Sequence, residues 1–191
     1  WYQNIPILSY VALGGRCANC RKPISVAAYW LVISGLILGS FIDLDHFYLP
    51  DRVTIGGMLL GAPASVLIPE LQMERTWLPS LCWSVAGLGF GFFFLWGMGW
   101  LFSKVFRKDA LGFDDVKLMG AVGAFFGPTA VLFVLIVSSV VGSVVGIALI
   151  ARGKAKLGGF TAVPYGPFIA VATLTWMFWG PQLVAGYIRL F

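Results

Sequence analysis

From Val26 onward the chain is a succession of long apolar runs separated by short polar bursts. The runs cover residues 26–42, 53–69, 78–102, 116–127, 129–150 and 163–180. About 20 apolar residues in a helix cross the hydrocarbon core of a bilayer. None of these runs alternates with period two, so strands are not expected. The reading is an all-α, polytopic transmembrane helix bundle, in which 116–127 is a half-length helix set off by Gly127-Pro128.

Composition agrees. Only 11% of the 191 residues are charged and 59% are hydrophobic, whereas soluble domains average about 25% charged. A disordered chain and a coiled coil are thereby excluded, and three cysteines make no secreted disulfide framework. Glycine supplies 24 residues, many inside the runs, and lets helices approach closely in lipid. Gly142 and Gly146 are expected to form one such contact face. Cys82, inside a run, is expected to pack.

The net charge of +5 reads as topology rather than as affinity for nucleic acid. Lys104, Arg107, Lys108 and Lys117 fall in one loop region, and Arg152, Lys154 and Lys156 in another. Two helices separate these regions, so both face the cytoplasm, and 43–52 faces it too. Glu70, Glu74 and Arg75 mark an outer loop. Residues 1–25 carry Arg16, Arg21 and Lys22 with no acid, so they also favour the cytoplasm. One helix cannot begin and end on the same side, so a span between Ser25 and Val26 is expected to be missing. The first residue is Trp1, no signal peptide follows it, and the chain reads as one that begins partway through a longer protein.

The acids are unevenly spread. Asp43, Asp45 and Asp51 cluster where one run ends, and Asp109, Asp114 and Asp115 where another begins. Both clusters fall on the cytoplasmic side. Carboxylates at a membrane boundary are costly against lipid, so two clusters on one side suggest a shared polar site. Two carboxylates held close share one proton, and one then serves as base toward water while the other protonates a carbonyl oxygen. The bland alternative makes them solvated headgroup-level acids or partners of Lys104, Arg107 and Lys117. His46 reads as an interfacial polar residue, and no Gly-x-Ser-x-Gly elbow is present for it to serve. Cys17 and Cys20, two residues apart, would supply half of a four-ligand zinc site, a disulfide or idle thiols.

Four segments in order resemble the type IV prepilin peptidases, bacterial inner-membrane aspartyl proteases that process pilins and type II secretion pseudopilins. They are Asn4 to Ser25, Ile42 to Asp51 (IDLDHFYLPD), Leu111 to Gly127 (LGFDDVKLMGAVGAFFG) and Val163 to Ala172 (VPYGPFIAVA). The resemblance implies that Asp43 and Asp115 are the catalytic pair. It implies that Asp45, Asp51, Asp114 and Lys117 support the site. Cleavage after a glycine in the leader, without a metal, would follow, and many members then methylate the new N-terminus with S-adenosylmethionine. A prepilin or pseudopilin and the lipid bilayer are the implied partners, with no nucleic acid. Residues 1–25 would form a cytoplasmic segment and 26–191 the protease core. The chain departs from the pattern in carrying Asp114 where the family has glycine, which raises the possibility of an inactive variant. It also lacks the helix before the first aspartate span, and the family's N-terminal span and first CxxC pair. A transporter or channel with interfacial carboxylates is the alternative from a different functional class.

Overall fold

A computed structural model describes residues 26–106, 112–153 and 164–188. Every regular element among them is helical: α1 (Val26–His46), α2 (Asp51–Leu67), a 3₁₀ turn (Pro69–Gln72), α3 (Trp77–Phe106), α4 (Phe113–Ala151) and α5 (Gly166–Ile188). Three stretches are long and apolar enough to cross a membrane: Ala28–His46, Trp77–Val105 and Phe113–Ala151. The chain is therefore a membrane protein. The last helix runs further than the sequence predicts, passing through Pro181 to Ile188. The CxxC segment and the loops holding Arg107, Lys108, Lys154 and Lys156 lie outside the described residues.

The polarity of the bundle is inverted relative to a soluble protein. Trp30, Phe41, Phe93, Trp100, Ile136 and Ile147 are exposed, while Ser65, Ser80, Ser84, Ser138 and Thr173 are fully buried. In lipid the outer face gains nothing by hiding, and helices associate instead through close packing and interhelical hydrogen bonds. Ser80 donates to the carbonyl of Ser65 at 2.8 Å, joining α3 to α2. Cys82 is exposed on α3, a correction to its expected packing role.

The first half of α4 is the centre of the bundle, buried almost continuously from Asp115 to Gly127 and packed on α2 and α3, with α5 against the helix as well. Glycines set how near these helices come. A Cβ on Gly87 would overlap the Gly123 carbonyl, and one on Gly123 would overlap the Gly87 carbonyl. Gly142 meets Phe168 of α5, but Gly146 faces open space, so only half of the expected Gly142/Gly146 face makes contact.

The helix breaks at Gly127, whose φ of 81° is open to glycine at little cost. Its second half then folds back. Met119 and Val131, twelve residues apart, both lie against Gly91, and the Tyr165 hydroxyl at the start of α5 reaches Ser138 at 2.8 Å. The Gly127-Pro128 boundary expected from sequence is thus a reversal of direction.

Pro128 has no N–H, so the carbonyl of Ala124, four residues earlier, loses its helical donor. Two side chains replace it: Ser84 Oγ donates to that oxygen at 2.6 Å and Gln72 Nε2 at 3.1 Å. Ser84→Ala should therefore cost only about 1 kcal/mol, because Gln72 still satisfies the carbonyl. Ser84→Ala combined with Gln72→Leu should cost more than the sum of the single changes, by leaving the oxygen orphaned. Thermal unfolding of the four proteins in one detergent measures the coupling, and strict additivity would contradict it.

Candidate active site

Asp43 occupies the last turn of α1 and Asp115 the first turn of α4, and both are buried. The two carboxylates come near enough for their charges to act on one another. Different local devices hold them. Asp43 Oδ2 accepts a hydrogen bond at 2.9 Å from the backbone N–H of Gly166, at the first residue of α5. That N–H is one of the donors a helix start leaves without an intrahelical partner. A Cβ at position 166 would lie 2.6 Å from the same carboxylate oxygen, so glycine is what admits Asp43. Asp115 is the third residue of its helix after the Gly112 N-cap, and its Oδ2 would sit 3.1 Å from a Cβ at position 112. Carboxylates in a first helical turn are also favoured by the helix dipole.

Beside this pair is an ionic clamp. Lys117 Nζ donates to Asp114 Oδ1 at 2.8 Å and also to Asp51 Oδ1. Asp114 Oδ2 in turn faces the backbone N–H of Leu49 at 3.4 Å. The clamp ties the start of α2 and the turn before it to the start of α4. Lys117 pairs with these two acids rather than with Asp115. Asp114 bears electrostatically on both Asp43 and Asp115, yet its own carboxylate is held by Lys117 and the Leu49 N–H.

Asp51, Asp114 and Lys117 are thus linked to one another at the end of the bundle that holds Asp43 and Asp115. Asp45 is exposed and makes no hydrogen bond or ion pair among the described residues, so it is set apart from the other acids. His46 is exposed as well. Gly166 was missed by residue-type reasoning because its contribution is a backbone N–H. The signal available was Tyr165-Gly166-Pro167, a helix start carrying glycine beside proline.

A polar recess of about 570 Å³ opens beside the pair, lined by Tyr48, Asp51, Arg52, Asp114 and Lys117 among others. No group of three or more His, Cys, Asp or Glu residues among those described is arranged to hold a metal ion, and Cys17 and Cys20 lie outside them. The described acids all belong to helix ends or the turns joining them, an arrangement suited to surface chemistry rather than to an ion path through mid-membrane.

Comparison with known proteins adds independent findings. The model of the type IV leader peptidase family matches residues 30–147, and that of the bacterial peptidase A24 N-terminal domain matches residues 1–32. A prepilin leader peptidase/N-methyltransferase of Xanthomonas campestris pv. campestris is 33% identical over 216 residues, covering 99% of this chain and 71% of that protein. Proteins of the same name from Pseudomonas aeruginosa and Legionella pneumophila are 29% and 32% identical, over 98% of this chain and 70% and 71% of their own lengths. No solved structure matches. The alignment to the Xanthomonas protein is longer than the 191-residue chain, so at least about 25 of its positions have no counterpart here. That is enough for one membrane helix.

Proposed function

The chain belongs to the type IV leader peptidase family, and we propose that it is an intramembrane aspartyl endopeptidase that removes the leader from prepilins or pseudopilins, with Asp43 and Asp115 as its catalytic pair. The observation that carries this is the meeting of two buried carboxylates, 72 positions apart in sequence, at one end of the bundle beside a polar recess.

The negative charge of the pair rests on Asp43, where the Gly166 N–H and the positive end of α5 stabilise it. Asp115 carries the shared proton. Asp43 takes a proton from water as the water oxygen attacks the scissile carbonyl carbon, and Asp115 delivers its own to the carbonyl oxygen. Collapse of the tetrahedral adduct breaks the C–N bond, with the proton on Asp43 passing to the departing amine and a hydroxyl proton of the adduct returning to Asp115 as the new carboxyl forms. Both carboxyls then return to their starting states. The clamp of Lys117 with Asp51 and Asp114 keeps the extra carboxylate at position 114 compatible with this cycle, which supports an active enzyme.

The active end faces the cytoplasm of a bacterial inner membrane in this reading, supported by the placement of lysine and arginine in the loops. Residues 1–25 are the cytoplasmic segment and 26–191 the protease core. Support comes from the two family matches, which meet at residues 30–32, and from the number of the relative's positions without a counterpart here, which is enough for one span. The relatives' names also carry N-methyltransferase activity. S-adenosylmethionine would supply the methyl group to the new N-terminus, and no described residue is assigned to that donor.

Incubating the purified protein with a full-length prepilin and sequencing the product's N-terminus tests the proposal. A single cut after the leader glycine is expected. An uncut prepilin would refute it, and adding S-adenosylmethionine reads methylation in the same product by mass.

A further inference from the structure

On the membrane side of the polar recess lies an apolar groove of about 240 Å³ between α1, α2 and α4. Arg52 borders both cavities, so they are neighbours. The groove walls are the helix faces that carry the catalytic pair. Leu36 and Val32 stand 7 and 11 residues before Asp43, and Leu118, Val122 and Phe126 stand 3, 7 and 11 residues after Asp115. These spacings repeat with the helical period, so each set shares its face with the acid above it. From Leu118 to Phe126 the wall runs about 12 Å down the bundle.

Resting on the peptidase reading, we propose that this groove is the docking site for the apolar helix of the substrate, laid against α1, α2 and α4 so that its polar start enters the recess and the junction meets Asp43 and Asp115. Its volume takes the side chains of one helix face rather than a whole helix, so the substrate lies along it with its other side in lipid. The floor suits that contact. Gly35 and Gly56 line it, and an added Cβ would meet nothing within 4 Å at Gly56 and only Val53, at 3.8 Å, from Gly35. Small residues let a second backbone come close, which is how helices bind each other in lipid. Sharing its helix faces with Asp43 and Asp115 distinguishes this surface from the other exposed apolar faces. A segment that is polar and then apolar fits the two neighbouring cavities, and a wholly apolar or wholly polar peptide fits only one.

The open space at Gly56 supplies the test. A Cβ added at Gly56 meets none of the protein's own atoms within 4 Å, so Gly56→Leu puts its bulk at the groove wall, and Gly146→Leu adds the same bulk at an open glycine outside it. With full-length prepilin, Gly56→Leu should raise KM at least tenfold with kcat kept, and Gly35→Leu on the opposite wall should do the same. Gly146→Leu should leave both constants unchanged. A photo-crosslinking amino acid at Leu60, also on the groove, should capture the prepilin. Wild-type kinetics in both groove variants, or capture of a second copy of this chain instead of prepilin, would overturn the docking site while leaving the peptidase reading intact. A wild-type protein that captures prepilin at Leu60 without cutting it would do the reverse.

Discussion

Asp43→Asn and Asp115→Asn should each lower prepilin cleavage by about a thousandfold or more, to the level of an uncatalysed control. Each change keeps the shape of the side chain and removes its ability to exchange a proton. Asparagine at 43 still accepts the Gly166 N–H but cannot take a proton from water. Asparagine at 115 cannot deliver one to the carbonyl oxygen. The two losses should not add, because half of a shared-proton pair does no more than none. Asp45→Asn, on an exposed residue two positions from Asp43, should stay within about twofold of wild type by the same assay. Equal losses at 43 and 45 would mean that acidity at the boundary, rather than the pair, is what the reaction needs.

Gly123→Val should prevent the bundle from assembling. At this crossing α3 and α4 touch backbone to backbone, and the new Cβ would occupy the space of the Gly87 carbonyl. No flexible side chain is there to move aside. The cost should exceed about 4 kcal/mol, the range in which single substitutions abolish a fold rather than weaken it. Gly89→Ala, on α3, meets nothing within 4 Å and should instead be neutral or stabilising by up to about 1 kcal/mol. Accumulation in membranes and monodispersity after extraction distinguish the two. Normal yields of monodisperse Gly123→Val would show that the helices do not approach as described.

Much of the fold was legible because a bilayer imposes a coarse rule, a length of apolar chain per crossing. Six runs, the Gly127-Pro128 boundary and the helical class follow from that rule alone. The clustering of Asp43 with Asp115 was legible for a related reason, since acids at span ends on one side have few places to be but together. Contacts between distant segments left no local mark. The reversal at Gly127 depends on Ser84 and Gln72, which lie 40 and 52 positions from the carbonyl that they serve. Neither residue belongs to a motif. Cys82 and Gly146 were misread because an apolar helix has no polar side to show which face meets protein and which meets lipid. The same uniformity hid the extension of α5 through Pro181, since proline within a membrane helix is tolerated where neighbours satisfy the freed carbonyl. Asp114 illustrates the converse case. As a substitution within a motif it suggested damage, and only the positions of Lys117 and the Leu49 N–H give it a constructive role.

The central claim is that one proton is held between two carboxylates and used from both ends of the reaction. Its most direct measurement is the pH dependence of kcat/KM for prepilin cleavage by the wild-type enzyme, which reports the ionisations of the free enzyme as a unit. A bell is predicted, with activity lost in acid as both carboxyls are protonated and lost in alkali as both ionise. A rate that climbs to a plateau and stays there in alkali would mean that a single base suffices, and would contradict the account.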